Sequence, residues 1–120
     1  MPNPEKHAYA DAEIPAKLAE HGLHEWYLED GWIRRKYNTD GWPQTLMVVN
    51  AVGFVAEAAY HHPDLAVTWA KVWVKLKTHD AGGVTDKDFE LAKAIEAAVL
   101  FRPAGGPLGA GNPKKFVFSK

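Results

Sequence analysis

The spacing of apolar positions along the 120-residue chain changes several times, and each change marks an element. Residues 1 to 12 show no period and read as a flexible leader. In EIPAKLAEHGL, residues 13 to 23, Ile14, Leu18 and Leu23 recur near helical spacing, and Gly22 is placed to end the helix. The period then drops to two. Trp26 and Leu28 alternate with polar neighbours, and beyond Asp30-Gly31 the residues Trp32, Arg34 and Lys36 alternate with Ile33, Arg35 and Tyr37. Asp-Gly tolerates positive φ at both central positions of a tight turn, so an antiparallel hairpin is expected here.

The next run, DGWPQTLMVVNAVGFVAEAAYHH, is too long and alanine-rich for a strand. Asp40 is expected to cap this helix, and Pro43 suits its first turn. Leu46, Met47, Val48, Val49, Val52, Phe54 and Val55 cover most of its circumference. Such a helix should be buried on more than one side, against a sheet and against a second subunit. Residues 65 to 78 return to period two in their second half, with room for a break into two strands. Ala70, Val72, Val74 and Leu76 face one way and Lys71, Trp73, Lys75 and Lys77 the other. One covered and one open face favour antiparallel pairing.

After AGG, Thr85 with Asp88 three residues on reads as a capping box. It opens a helix striped by Phe89, Ala92, Ile95 and Val99. The Gly/Pro-rich segment 101 to 120 ends apolar at Phe116, Val117 and Phe118 and reads as an arm that docks on the main domain, residues 13 to 100. Hairpins and helices in this order, with an open sheet face, indicate an α+β fold.

Composition narrows the chemistry. At 47% hydrophobic the chain can bury a core of its own, and with no cysteine it has no disulfide frame or thiolate nucleophile. A net charge of −1 argues against a nucleic-acid partner, which would call for a basic field. The polar, proline-bearing start reads as neither signal peptide nor membrane span, so a soluble cytoplasmic protein is the expectation.

What remains is histidine. Glu57 and His61 are four apart, so a helix reaching His61 would let the carboxylate orient that ring. Pro63 stops the helix and pushes His62 toward extended geometry. His79 follows the alternating strand and by parity joins Trp73, Lys75 and Lys77 on the open face. Imidazoles meeting there beside an aromatic wall, with no nucleophile next to a base, suit proton transfer. A zinc site from His61, His62 and His79 is the weaker alternative, because adjacent histidines seldom both reach one metal and no HxH or HExxH spacing is present. His7, His21 and His24 read as surface or satisfied-core residues.

Glu57, His61-His62-Pro63, Trp69, Thr78-His79, Gly83 and Asp88 stand in an order and spacing that resemble the pterin-4a-carbinolamine dehydratases. Pro63, the last residue of HHP, and His79, the last of TH, lie sixteen residues apart. The resemblance implies a four-stranded antiparallel sheet with helices packed on one face, assembled as a homodimer or homotetramer. It implies dehydration of a 4a-hydroxytetrahydropterin to the quinonoid dihydropterin, in the service of an aromatic amino-acid hydroxylase. The pterin is then the substrate, with no metal, no resident cofactor and no membrane partner. By position, His61 and His79 become the principal acid and base, with His62 binding and assisting. Pro63 would shape the pocket floor, and Thr78, His79, Asp80 and Ala81 would contact the pterin edge. Glu57 would orient His61, and Asp88 would hold the site from the third helix. Tyr60 and the segment DLAVTW depart from the commoner pattern and bear on substrate preference. The resemblance also admits a non-catalytic role, as a RuBisCO assembly factor or a transcriptional coactivator. The assembly relatives lack the paired histidines that this chain keeps.

Overall fold

The computed structural model describes residues 7–109 and 113–120. Helix α1 (Ile14–Glu20) leads into strands β1 (Tyr27–Glu29) and β2 (Trp32–Thr39), then helix α2 (Trp42–Ala59). Strands β3 (Asp64–Thr68) and β4 (Lys71–Leu76), helix α3 (Asp86–Val99) and a short strand β5 (Val117–Phe118) complete the chain. The antiparallel sheet runs β1-β2-β4-β3, and β5 adds to β2.

The expected hairpin is present. Asp30 (φ 53°) and Gly31 (φ 82°) are both left-handed, which sets Leu28 opposite Ile33. The second alternating run does break in two at Trp69-Ala70, with Leu65 opposite Val74 and Val67 opposite Val72. Parity then decides the layers. Ile33, Arg35 and Tyr37 of β2 and Val72, Val74 and Leu76 of β4 are buried beneath the helices. Their neighbours Trp32, Arg34, Trp73 and Lys75 line the open face. Helix α3 closes the core with Phe89, Ala92, Ile95 and Val99, the larger of which each contribute about 1.5–3 kcal/mol by leaving water. Its capping box is also as expected, with the Thr85 hydroxyl accepting from Lys87 N–H and Asp88 returning to Thr85 N–H.

Asp40 departs from expectation. Helix α2 begins after Gly41 with no side-chain cap, and Asp40 Oδ2 accepts instead from Phe116 N–H at 3.0 Å. That bond anchors the C-terminal arm beside β2. Arg35, 2% exposed, holds the arm further along through Nη2 to Ser119 O at 2.7 Å, and its Nε meets Glu96 Oε1 at 2.6 Å. Glu96 Oε1 also accepts from Tyr37 Oη at 2.5 Å and Trp26 Nε1 at 3.1 Å. Burial and this carboxylate push the Tyr37 phenol well above its ordinary pKa.

Of the expected leader, residues 1–6 lie outside the described residues. Within residues 7–12, Tyr9 is tied to the main domain. Tyr9 N–H donates to Val84 O and its hydroxyl to Asp86, which raises the phenol pKa to about 12. Helix α2 buries Thr45, Val48, Val52 and Ala56 but leaves Trp42, Leu46, Met47 and Phe54 exposed, Phe54 at 77%.

Candidate active site

The end of α2 decides how the paired histidines are aimed. Tyr60 adopts a left-handed conformation (φ 50°, ψ 45°) and terminates the helix. Its N–H donates to Glu57 O and that of His61 to Ala56 O, the bonding pattern of a Schellman stop. His61 is therefore off the helix and no longer shares a face with Glu57. The expected Glu57–His61 contact is not made. Glu57 Oε1 meets His62 Nε2 at 2.8 Å instead, in an exposed pair.

His61 is oriented by Asp88. Its Nε2 lies 2.6 Å from Asp88 Oδ1, and the Asp88 side chain is fully buried. The other carboxylate oxygen accepts from Thr78 Oγ1 at 2.8 Å and Thr85 N–H at 2.9 Å. Since Thr78 gives its only hydroxyl proton to Asp88, the 2.7 Å contact between Thr78 and Thr85 is donated by Thr85. Every neighbour of the carboxylate is thus placed to donate. In neutral His61 this puts the proton on Nε2 and leaves Nδ1 bare to exchange a proton. The capping box of α3 doubles as the mount of an imidazole.

His79 arrives from the other side. Thr78 and Gly83 pair across a small loop, within which His79–Ala81 form a single 3-10 turn. The His79 ring stands edge-on to Trp32, centroids 5.6 Å apart. Trp32 carries Lys75 Nζ at 4.3 Å and Lys77 Nζ at 4.8 Å from its ring centre. The aromatic neighbour of His79 is therefore Trp32, while Trp73 lines an adjoining hollow. Parity placed Trp73 on the open face, and it is the β2–β4 register that brings Trp32 to the same face beside His79.

These parts meet in one open groove of about 450 Å³. Of the residues expected at the site, His61, His62, Pro63, Thr78, His79 and Asp80 line it. Glu57 and Asp88 stand behind the rings they bind. Ala81 is not among the lining residues, and its N–H donates to Thr78 O. Thr78 lines the groove, but its hydroxyl and N–H are bonded to Asp88 and Gly83, so its side chain acts as a support. Tyr60, Asp64, Lys77 and Lys87 also line the groove, and of these only Lys87 had no part in the expected site. A larger hollow of about 600 Å³ adjoins it over the open face but has no histidine in its lining, so the histidine cluster lies in the smaller one. Among the described residues no three His, Cys, Asp or Glu side chains are grouped to hold a metal ion. None of the described helices is long and apolar enough to cross a membrane.

Residues 7–98 match the family model described as pterin 4 alpha carbinolamine dehydratase. The chain belongs to this dehydratase family. A protein of Aquifex aeolicus, provisionally named pterin-4-alpha-carbinolamine dehydratase, is 43% identical over 90 residues, 75% of this chain and 89% of that one. A relative from Roseiflexus sp. with the same provisional name is 44% identical over 87 residues, 72% of this chain and 91% of its own. The crystal structure of a transcriptional coactivator/pterin dehydratase from Brucella melitensis superposes with a TM-score of 0.69 at 24% identity. It covers 77% of this chain and 98% of that one, which shows a common fold. The dehydratase match stops short of the arm, residues 101–120.

Proposed function

We propose that this dehydratase-family chain removes water from a 4a-hydroxytetrahydropterin to give the quinonoid dihydropterin. The observation that carries the reading is the convergence of His61, His62 and His79, from two distant parts of the chain, on one groove. Three steps balance the reaction. The C4a–O bond breaks as the hydroxyl is protonated and leaves as water. N5 gives up its proton to a base. The N5 electron pair forms the C4a=N5 double bond. No electrons leave the molecule, so the pterin is substrate and the reading includes no resident cofactor or metal.

His61 and His79 share the roles of acid and base. Asp88 keeps one nitrogen of His61 protonated and the other bare, and Trp32 braces His79. Each positioned acid or base is worth about 10²–10⁴-fold in rate. His62, steadied by Glu57, borders the ring. The same reading sets the chain beside a pterin-dependent aromatic hydroxylase in the cytoplasm, as the supplier of its substrate. It also takes the exposed apolar side of α2 as the contact with a second copy, as a homodimer or homotetramer.

The test is to couple the purified protein to a pterin-dependent hydroxylase and follow the decay of the 4a-hydroxypterin absorbance. The wild type should accelerate that decay, and His61→Ala and His79→Ala should each lose about 10²–10⁴-fold while staying folded. A wild type without effect overturns the enzymatic reading and favours an interaction protein.

A further inference from the structure

The open sheet face carries a charge imbalance that proton transfer leaves unused. Register places Arg34 beside Lys75, Lys36 beside Trp73 and Lys71 beside Asn38. Lys77 follows directly after β4. Against these cations stand Asp64, opposite Lys75, Glu29, opposite Trp32, and Asp80, which shares the groove wall with Lys77. The chain as a whole carries a net −1, so positive charge is concentrated here. It also converges, because Lys75 Nζ and Lys77 Nζ both approach the Trp32 ring that touches His79. Two ammonium groups held at one indole repel each other, and an anion beside them relieves that repulsion. Arg34 is already engaged with Glu29 at 3.6 Å and Asp30 at 4.0 Å. Among the described residues Lys75 is not drawn into an ion pair with Asp64.

The adjoining hollow of about 600 Å³ runs over this face. Arg34, Trp73 and Lys75 line it, and it shares Pro63 and Asp64 with the histidine groove. A reduced pterin carries its side chain on C6, only two bonds from C4a by way of N5. A ring whose C4a and N5 sit at the histidines must send that side chain out close by, and the neighbouring hollow is a path for it.

We propose that the substrate is a reduced pterin whose C6 side chain ends in an anion, a carboxylate or a phosphate, held by Lys75 and Lys77 beside Trp32. The placement of the ring rests on the dehydration reading. Calorimetric titration with paired 7,8-dihydropterins tests the proposal. One pair carries a glutamate side chain and its diamide, the other a dihydroxypropyl side chain with and without a terminal phosphate. At low salt at least one charged ligand should bind about 3- to 10-fold tighter than its neutral counterpart. That preference should shrink below about twofold in roughly 0.5 M salt. Lys75→Gln should reduce it as well, with the neutral ligand as internal reference. The pair that shows the preference separates carboxylate from phosphate. Equal affinity within both pairs overturns the proposal and leaves dehydration standing, because the ring is common to all the ligands. A preference that survives Lys75→Gln combined with Lys77→Gln overturns the assignment to these lysines. No binding by any of them overturns both readings.

Discussion

Helix α3 presents two carboxylates to the interior, and their partners set them apart. Asp88, in the first turn, accepts from two threonine-side donors and from an imidazole at the groove wall. Glu96, two turns later, accepts from a guanidinium, a phenol and an indole. Both sites satisfy their polar atoms, and no buried side-chain polar atom among the described residues is left without a partner. Arg35, however, is a buried guanidinium that can only donate, so its cluster can only hold. His61 brings an imidazole, a group with both a donor and an acceptor nitrogen, so its cluster suits the proposed proton transfer. What a buried carboxylate network is suited to do follows from the chemistry of its partner, not from its depth.

Substitution on either side of this contrast should separate activity from stability. The largest effect is expected from Asp88→Asn. The amide can still accept from Thr78 and Thr85 but presents an N–H to His61, which forces the opposite tautomer. Turnover should fall about 100-fold or more, with about 1–2 kcal/mol lost in denaturant unfolding. An inverted ¹⁵N shift pattern for His61 would mark the tautomer as the cause. Glu96→Ala should do the reverse. It strands the Arg35 charge and should cost about 3 kcal/mol of stability, with turnover per folded molecule retained at moderate temperature. If Glu96→Ala abolished turnover in fully folded protein, the division between the clusters would fail.

The smallest effect is a matter of alkali. Tyr9 is raised to about 12 and Tyr37 is raised too, so the folded state holds these phenol protons more tightly than the unfolded chain does. Their contribution is complete below about pH 10 and is lost as pH climbs through the folded values. Urea midpoints should therefore fall between about pH 10 and 12, and Tyr9→Phe should flatten part of that fall. A midpoint independent of pH across this window would contradict it.

The frame of the site was legible where the signal was local. Asp30-Gly31 announced its turn, Thr85 and Asp88 their box, and the Val72–Val74–Leu76 alternation its face. The site's wiring was not. No rule marks Tyr60 as the left-handed residue that ends α2, because a non-glycine there is strained and is held by context. That one residue reassigns Glu57 from His61 to His62. Asp40 has the chemistry of a cap, yet it binds an arm 76 positions away. The Arg35–Glu96 pair, 61 apart, and the choice of Trp32 over Trp73 depend on register between elements. Periodicity gives each strand's faces but not which residues become neighbours.

The claim on which the account turns is that three of the six histidines surround one flat heterocycle. Titrating ¹⁵N-histidine-labelled protein with a non-reacting 7,8-dihydropterin measures this directly. The ring-nitrogen signals of His61, His62 and His79 should shift together at one affinity, while those of His7, His21 and His24 stay in place. Saturable binding that leaves the signals of His61 and His79 unmoved would contradict it.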